Sequence, residues 1–383
     1  MLKKTRWSRF TGPVVIFLLL VFCLLPPTSA QDLAEFEKRL TRFTLDNGMT
    51  FLVLERHEAP VVSFVTHADV GAVNEVRGIT GIAHLLEHMA FKGTKKVGTT
   101  GHVGEMWALA KLDAAYAALR EELDKRVGEE DPERLTLLRE RFKKAQEEAS
   151  KLVVTNEFAE ALNREGATSL NAGTSNDATM YMVSLPSNKL ELWMSLESDR
   201  FMNPVLREFY KELEVVKEER RMRTESSPQG RLVEEFLAVA FKAHPYGDPV
   251  IGHMSDLEAL SREKVETFFK AYYAPGNLTV AVVGDVDTEE VRRLAGIYFG
   301  RLQPGPKPEP IVTKEPPQNG ERRVVLREKT QPSLFIGYHM PGVNHQDRPA
   351  FDILSDILGY GRTARLYKSL VKEKKMAANI WAS

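Results

Sequence analysis

Two apolar seams with helical spacing occupy the middle of the chain. Leu109, Leu112, Tyr116, Leu119 and Leu123 step alternately by three and four residues, and after Gly128-Glu-Glu-Asp-Pro132 the same steps recur through Leu135, Leu138, Phe142, Ala145, Ala149 and Leu152. Charged residues fill most positions between them, so the pattern predicts an antiparallel helical hairpin within 104–163, closed by a Gly/Pro turn. The hairpin is expected to project from its domain, either as a solvated spacer or as a docking arm. Phe209–Arg223 reads as another helix, and Leu278–Gly284, LTVAVVG, as a strand followed by a helix from Thr288. Prolines crowd Pro304–Pro310 and Lys314–Pro317, which predicts an extended linker over 304–320. Beyond it, Ser333–His339 reads as an apolar strand and Arg348–Leu358 as a helix.

One short stretch carries chemistry. In GIAHLLEHMAFKGT, from Gly81 to Thr94, His84 and His88 stand four residues apart and Glu87 lies beside them. On a helix the two imidazoles share a face and can grip one ion at about 2.0–2.1 Å, while Glu87 is placed to accept a proton from an attacking water. His-x-x-Glu-His is the inverted zincin signature of metallopeptidases. A catalytic zinc wants a third protein ligand and an open position. The helix Phe209–Arg223 offers Glu212 and Glu219, two turns apart on one face, so that one could bind the ion and the other orient a ligand. Glu214 and Glu218 share the same charged run, and spacing alone does not choose among the four. The remaining histidines, His57, His67, His102, His244, His253, His339 and His345, are scattered and read as packed or exposed side chains. Gly71, Gly78 and Gly81 read as turns and the start of the motif helix.

Several blocks together extend this reading: LDNGMTFLVLERHEAPVVSF, GITGIAHLLEHMAFKGT, SLNAGTSNDATMYMVSLP, EVVKEERRMR, AFKAHPYGDPVIG and YYAPGNLTVAVVGDVD. In these blocks the chain resembles the pitrilysin/insulinase family of zinc peptidases, from about Arg42 to the last residue. The resemblance implies an α+β, insulinase/processing-peptidase-like domain with an antiparallel-rich sheet and packed helices, followed by a partial second homologous domain. It implies Zn2+ held by His84, His88 and Glu219, Glu87 as general base, and Glu212 as a carboxylate one shell out. Asn171 and Ala172 would line the cleft and touch the backbone of a peptide substrate. Two departures stand out. Glu219 follows His88 by more residues than in the best-known members, and the hairpin accounts for the excess. Near the end, Lys372 lies near the place where the resemblance implies an Arg, and Ala378 or Asn379 near that of a Tyr. That gap implies a homologous partner subunit supplying the Arg/Tyr pair, as in two-subunit bacterial relatives.

Composition changes the picture in three ways. With 383 residues, 43% hydrophobic and 27% charged, there is material for more than one core. The first unit is read as 38–303, and 321–383 is too short to repeat it. At the N-terminus, Lys3, Lys4, Arg6 and Arg9 precede the apolar run Val14–Leu25 and the small residues Thr28-Ser29-Ala30, a secretory signal over 1–30. This predicts a periplasmic or secreted protein, membrane-attached only if the signal stays uncleaved. The lone cysteine, Cys23, lies in that segment, so a processed chain has neither disulfides nor thiolate ligands. Cleavage would take the formal charge from −1 to −5 by removing four cations and no acids. No basic surplus or phosphate-binding glycine loop argues for nucleic acid. The expected function is a zinc-dependent endopeptidase acting on extended peptides; the alternative is a non-catalytic or partner-dependent subunit of a two-chain peptidase.

Overall fold

A computed structural model of the chain describes residues 33–383, so the expected signal segment lies outside the described residues. The elements run α1 (Leu33–Arg39), β1 (Leu40–Thr44), β2 (Thr50–Glu55), β3 (Val61–Ala68), α2 (Ile82–Met89), α3 (His102–Leu123), α4 (Pro132–Ser150), α5 (Glu157–Arg164), β4 (Thr168–Thr174), β5 (Thr179–Pro186), α6 (Leu190–Met202), α7 (Phe209–Arg220), α8 (Pro228–Ala240), α9 (Met254–Ala259), α10 (Arg262–Tyr272), β6 (Leu278–Gly284), α11 (Thr288–Tyr298) and α12 (Arg348–Gly359). The chain divides into two compact units, with the boundary between Val324 and Val325.

The first unit is built on one six-stranded sheet in the order β1-β2-β6-β3-β5-β4. Only β2 and β6 run parallel; the other neighbours are antiparallel. This is the predicted α+β class with an antiparallel-rich sheet. Strands β3, β5 and β6 alternate buried and less buried residues, as a sheet packed on one face requires. Phe64 of β3, paired with Val183 and Val282, stacks on Trp193 of α6 at 4.1 Å, and Phe51 of β2 meets Phe299 edge-on at 5.5 Å. Helices thus cover this face, and β4 is left as an edge strand with Asn171 exposed.

Helices α3 and α4 pack together with Leu109, Leu112, Leu119, Leu138 and Ala149 buried, but at the tip Leu123 is exposed and Glu122 is buried in its place. The hairpin does not project freely. Tyr116 Oη donates to the carbonyls of Glu258 and Leu260, both at 3.1 Å, and its ring lies 4.2 Å from that of Tyr210 in α7. Asp113 accepts from Tyr210 Oη at 3.0 Å and pairs with Arg262 of α10. The aromatic and acidic groups beside the α3 seam therefore lay it against α7, α9 and α10. At its base, the buried guanidinium of Arg207 uses all five N–H groups: Nε and Nη2 on Glu105 at 2.6 and 3.0 Å, Nη1 on the carbonyls of Lys92 and Val97, and Nη2 on that of Thr94. One side chain thereby ties α3, the loop after α2 and the approach to α7.

The proline-rich stretch after α11 has no helix or strand up to Val324, as an extended linker should, but it is fastened down. Glu315 accepts from the backbone N–H of Lys242, Ala243 and His244 at 2.8–3.0 Å, and Arg322 donates to the carbonyls of Val239 and Ala240. In the second unit, the helix expected from Arg348 is α12, and a π-helical turn follows at Tyr367–Glu373. The strand expected at Ser333–His339 does not form: Leu334, Ile336 and Tyr338 are exposed and no strand pairs with them among the described residues. Apolar alternation alone cannot make a strand without a neighbour to complete its hydrogen bonds.

Replacing Arg207 with Met would strand the Glu105 carboxylate in the core. Urea unfolding is expected to show a loss of about 3–5 kcal/mol. A change below about 1 kcal/mol would show that the clamp is not what holds the hairpin base.

Candidate metal centre

Helix α2 is eight residues long and starts from a forced turn. Gly81 has φ +86°, and a Cβ there would lie 2.6 Å from the carbonyl oxygen of Ile251, so only glycine fits. No side chain of its own caps this helix. Instead the buried Glu75 carboxyl group accepts from the N–H of Gly81 and of Ala83, each at 2.8 Å, satisfying donors that a helix start leaves open. Asp256 of α9 accepts from the N–H of Gly78 and Thr80 and from Thr80 Oγ1. Ile82, Leu85, Leu86 and Met89 are buried, which leaves His84, Glu87 and His88 on the face turned to α7 and β4.

Helix α7 meets that face and continues into a π-helical turn, Arg221–Glu225, where the sequence pattern predicted α-helix to Arg223. Such turns recur at functional sites. Glu212 and Glu219 are 13% and 16% exposed, against 64% and 60% for Glu214 and Glu218, which pair outward with Lys217 and Arg221. His84 Nε2 lies 3.8 Å from Glu219 Oε1, and His88 Nε2 3.5 Å from Glu219 Oε2. The rings of His84 and His88 stand 4.9 Å apart at 77°. Among the described residues, His84, His88 and Glu219 form the one group of three whose ligand atoms all lie within 4.8 Å of one another. Glu212 faces the other nitrogen of His88, Nδ1, at 3.5 Å and is gripped by Lys92 Nζ at 2.5 Å. Glu87 stays outside the cluster and accepts a 2.7 Å hydrogen bond from Thr174 Oγ1. Asn171 and Ala172 lie on edge strand β4, opposite Met182 and Tyr181.

The electrostatics follow from burial and these neighbours. Burial, with His88 and Arg223 adding, pushes His84 down to about 4, so its imidazole is neutral at ordinary pH, as a metal ligand must be. His88 is raised, mainly by the Glu212 carboxylate against the opposing effect of burial. Burial would raise Glu212, but His88 and Lys92 outweigh it and hold the carboxyl down at about 2. The donor set fits zinc. Ligands at about 2.0–2.1 Å around a tetrahedral ion stand roughly 3.3–3.4 Å apart, near the nitrogen–oxygen separations here, and two imidazoles with one carboxylate leave a position open. Arg223 Nη1 lies 2.6 Å from Glu219 Oε1 and balances its charge.

Sequence reasoning missed Glu75, Lys92, Thr174, Arg220 and Arg223. Arg223 alone carried a local signal, four residues after Glu219. Arg220 Nη1 donates to the carbonyl of Gly252 at 2.6 Å and Nη2 pairs with Glu234. A Cβ on Gly252, φ +81°, would lie 2.3 Å from Thr80 O and 2.6 Å from Gly81 Cα. The turn held by the neighbour of Glu219 is thus pressed against the start of α2.

The profile of the insulinase family, peptidase family M16, matches residues 51–111 and 144–253, and that of the peptidase M16 inactive domain matches 259–383. The chain belongs to this peptidase family. The unmatched stretch 112–143 is the distal part of the hairpin. The zinc protease PqqE of Helicobacter pylori is 30% identical over 347 residues, covering 88% of this chain and 65% of that protein. An uncharacterized zinc protease of Mycobacterium leprae is 31% identical over 232 residues, 59% of this chain and 52% of the relative. The chain therefore spans about half to two thirds of the length of these relatives. A crystal structure of a protease from Helicobacter pylori superposes with a TM-score of 0.68 at 29% identity, covering 89% of this chain and 70% of that one. The first half of the periplasmic protease PqqL from Escherichia coli shares the fold, with a TM-score of 0.51 at 23% identity, over 74% of this chain and 50% of that one.

Burial raises Glu75 to about 8, against the pull of its two N–H donors. Between about pH 4.5 and 8 the folded chain would then hold a proton that the unfolded chain has lost, so this group's contribution to stability falls as pH rises through that window. Urea unfolding from about pH 5 to 8.5 should show wild type losing ground relative to Glu75→Gln. Parallel pH profiles for the two proteins would contradict this.

Proposed function

We propose that the first unit is the catalytic centre of a zinc-dependent endopeptidase, with His84, His88 and Glu219 as ligands and Glu87 as general base. The observation that carries this reading is the convergence of the two imidazoles and the Glu219 carboxylate, with a second carboxylate held beside the cluster and out of it. When bound, zinc supplies a Lewis acid for the scissile carbonyl and makes water more acidic. Glu87 takes the proton of the attacking water and passes it to the leaving amine. Glu212, anchored by Lys92, orients His88 through Nδ1. Manganese or cobalt could occupy the same donors in vitro.

The substrate is an extended peptide or oligopeptide. Strand β4 presents an unpaired edge to which such a chain can add as another strand, with Asn171 and Ala172 touching its backbone. The N-terminal segment 1–30 supports export to the periplasm or beyond, in keeping with the periplasmic location named for PqqL.

A second reading concerns partners. Lys372 and Ala378 or Asn379 lie near the places where the resemblance implies Arg and Tyr, which favours a homologous partner subunit that supplies this pair. On that reading the chain cleaves peptides only in the two-chain complex.

Hydrolysis of internally quenched peptides, with and without an Arg/Tyr-bearing homologue, tests both readings. Glu87→Gln should lower kcat by about 10²–10⁴-fold while retaining stoichiometric zinc, and Glu219→Ala should lose the metal. Full activity in Glu87→Gln would remove the base assignment, and full activity without a homologue would remove the partner.

A further inference from the structure

Thr174 closes the edge strand, three residues after Asn171, and its Oγ1 donates the 2.7 Å bond to Glu87 Oε2. The hydroxyl is the donor and the carboxyl oxygen the acceptor. The backbone that carries this hydroxyl is held on several sides. Thr174 pairs with Thr179 of β5, which is fully buried and donates to the carbonyl of Val70 at 2.9 Å. In the turn that follows, Ser175 N–H donates to Ala178 O at 2.8 Å, and the carbonyls of Ser175 and Asn176 accept from the N–H of Ala72 and Val73. A Cβ on Gly71 would lie 2.4 Å from Ser175 O, so this contact leaves room only for glycine. Segment 71–73 leads directly into Glu75, which caps the helix that carries Glu87. Thr174 and Glu87 are therefore held from one short segment, which fixes their separation. β-Branching further restricts the Thr174 side chain to few rotamers.

We propose that Thr174 is a positioning residue for the general base. By occupying Oε2 it fixes the plane of the Glu87 carboxylate and leaves Oε1 to receive the proton of the attacking water; the Thr174 proton is not transferred. The same strand presents Asn171 and Ala172 to the peptide, so substrate alignment and base orientation are set by one element. This rests on the reading of Glu87 as the base.

The test compares Thr174→Val, which removes the hydroxyl at nearly constant shape, with Thr174→Ser, which keeps it, in the active form of the protein and with zinc content measured for each. Thr174→Ala serves as a second hydroxyl deletion where the valine variant folds poorly. Deleting the hydroxyl should lower kcat by roughly 10- to 100-fold, the range for a hydrogen bond to a charged group. KM should stay within about twofold and zinc occupancy should be unchanged, while Thr174→Ser recovers most of kcat. In a Glu87→Gln background, deletion of the hydroxyl should add no further loss. An unchanged kcat in the hydroxyl deletions, or a loss that falls on KM or zinc content and equally on Thr174→Ser, would overturn the positioning role while Glu87→Gln keeps its large loss of kcat. Retained activity in Glu87→Gln would instead overturn the underlying assignment of the base.

Discussion

An eight-residue helix has little stability of its own, because nucleating helix costs more than so few bonds return. Helix α2 must nevertheless hold two imidazoles at a fixed separation from a carboxylate on another helix, so its start has to be gripped from outside. Glu75 accepts its first open N–H groups, Asp256 fastens the loop at Thr80, and Gly81 permits the left-handed turn. The same start is pressed by Gly252, whose carbonyl is bound by Arg220, next to Glu219 on α7. The distance between the His pair and Glu219 thus depends on a backbone contact between two glycines.

The far end of α2 is controlled separately. Lys92 reaches to Glu208 and Glu212 at the start of α7, and Arg207 binds the loop from Lys92 to Val97 while holding Glu105 of the hairpin. The two helices are therefore tied at both ends, and the hairpin lies against the outside of this tie. In the family match, the hairpin's distal part is unmatched while Glu105 and Leu109 at its base are matched. The buried pair of Arg207 and Glu105 sits at this base, away from the tip.

Much of this was legible in the residues, for reasons that can be named. Helical spacing places His84 and His88 on one face, and a seven-residue step does the same for Glu212 and Glu219. Which of Glu218 and Glu219 faces α2 is not set by spacing; the resemblance pointed to Glu219, and in the structure Glu219 is the more buried of the two. The hairpin seam was readable as helix pairing, but its docking through Tyr116 and Asp113 depends on Tyr210 and Arg262, 94 and 149 residues further along. Glu75, Lys92 and Thr174 carry no local pattern: each acts through a partner brought near by the sheet or by a loop. Ser333–His339 shows the opposite limit, a strand-like pattern without a neighbouring strand.

The central claim is that His84, His88 and Glu219 together hold a zinc ion. Anomalous diffraction at the zinc edge from crystals of the purified protein tests it most directly. The account predicts one strong peak at about 2.0–2.1 Å from a ring nitrogen of each histidine and within bonding distance of a Glu219 oxygen. A peak on other residues, or a cluster that stays empty in crystals soaked with stoichiometric zinc, would contradict it.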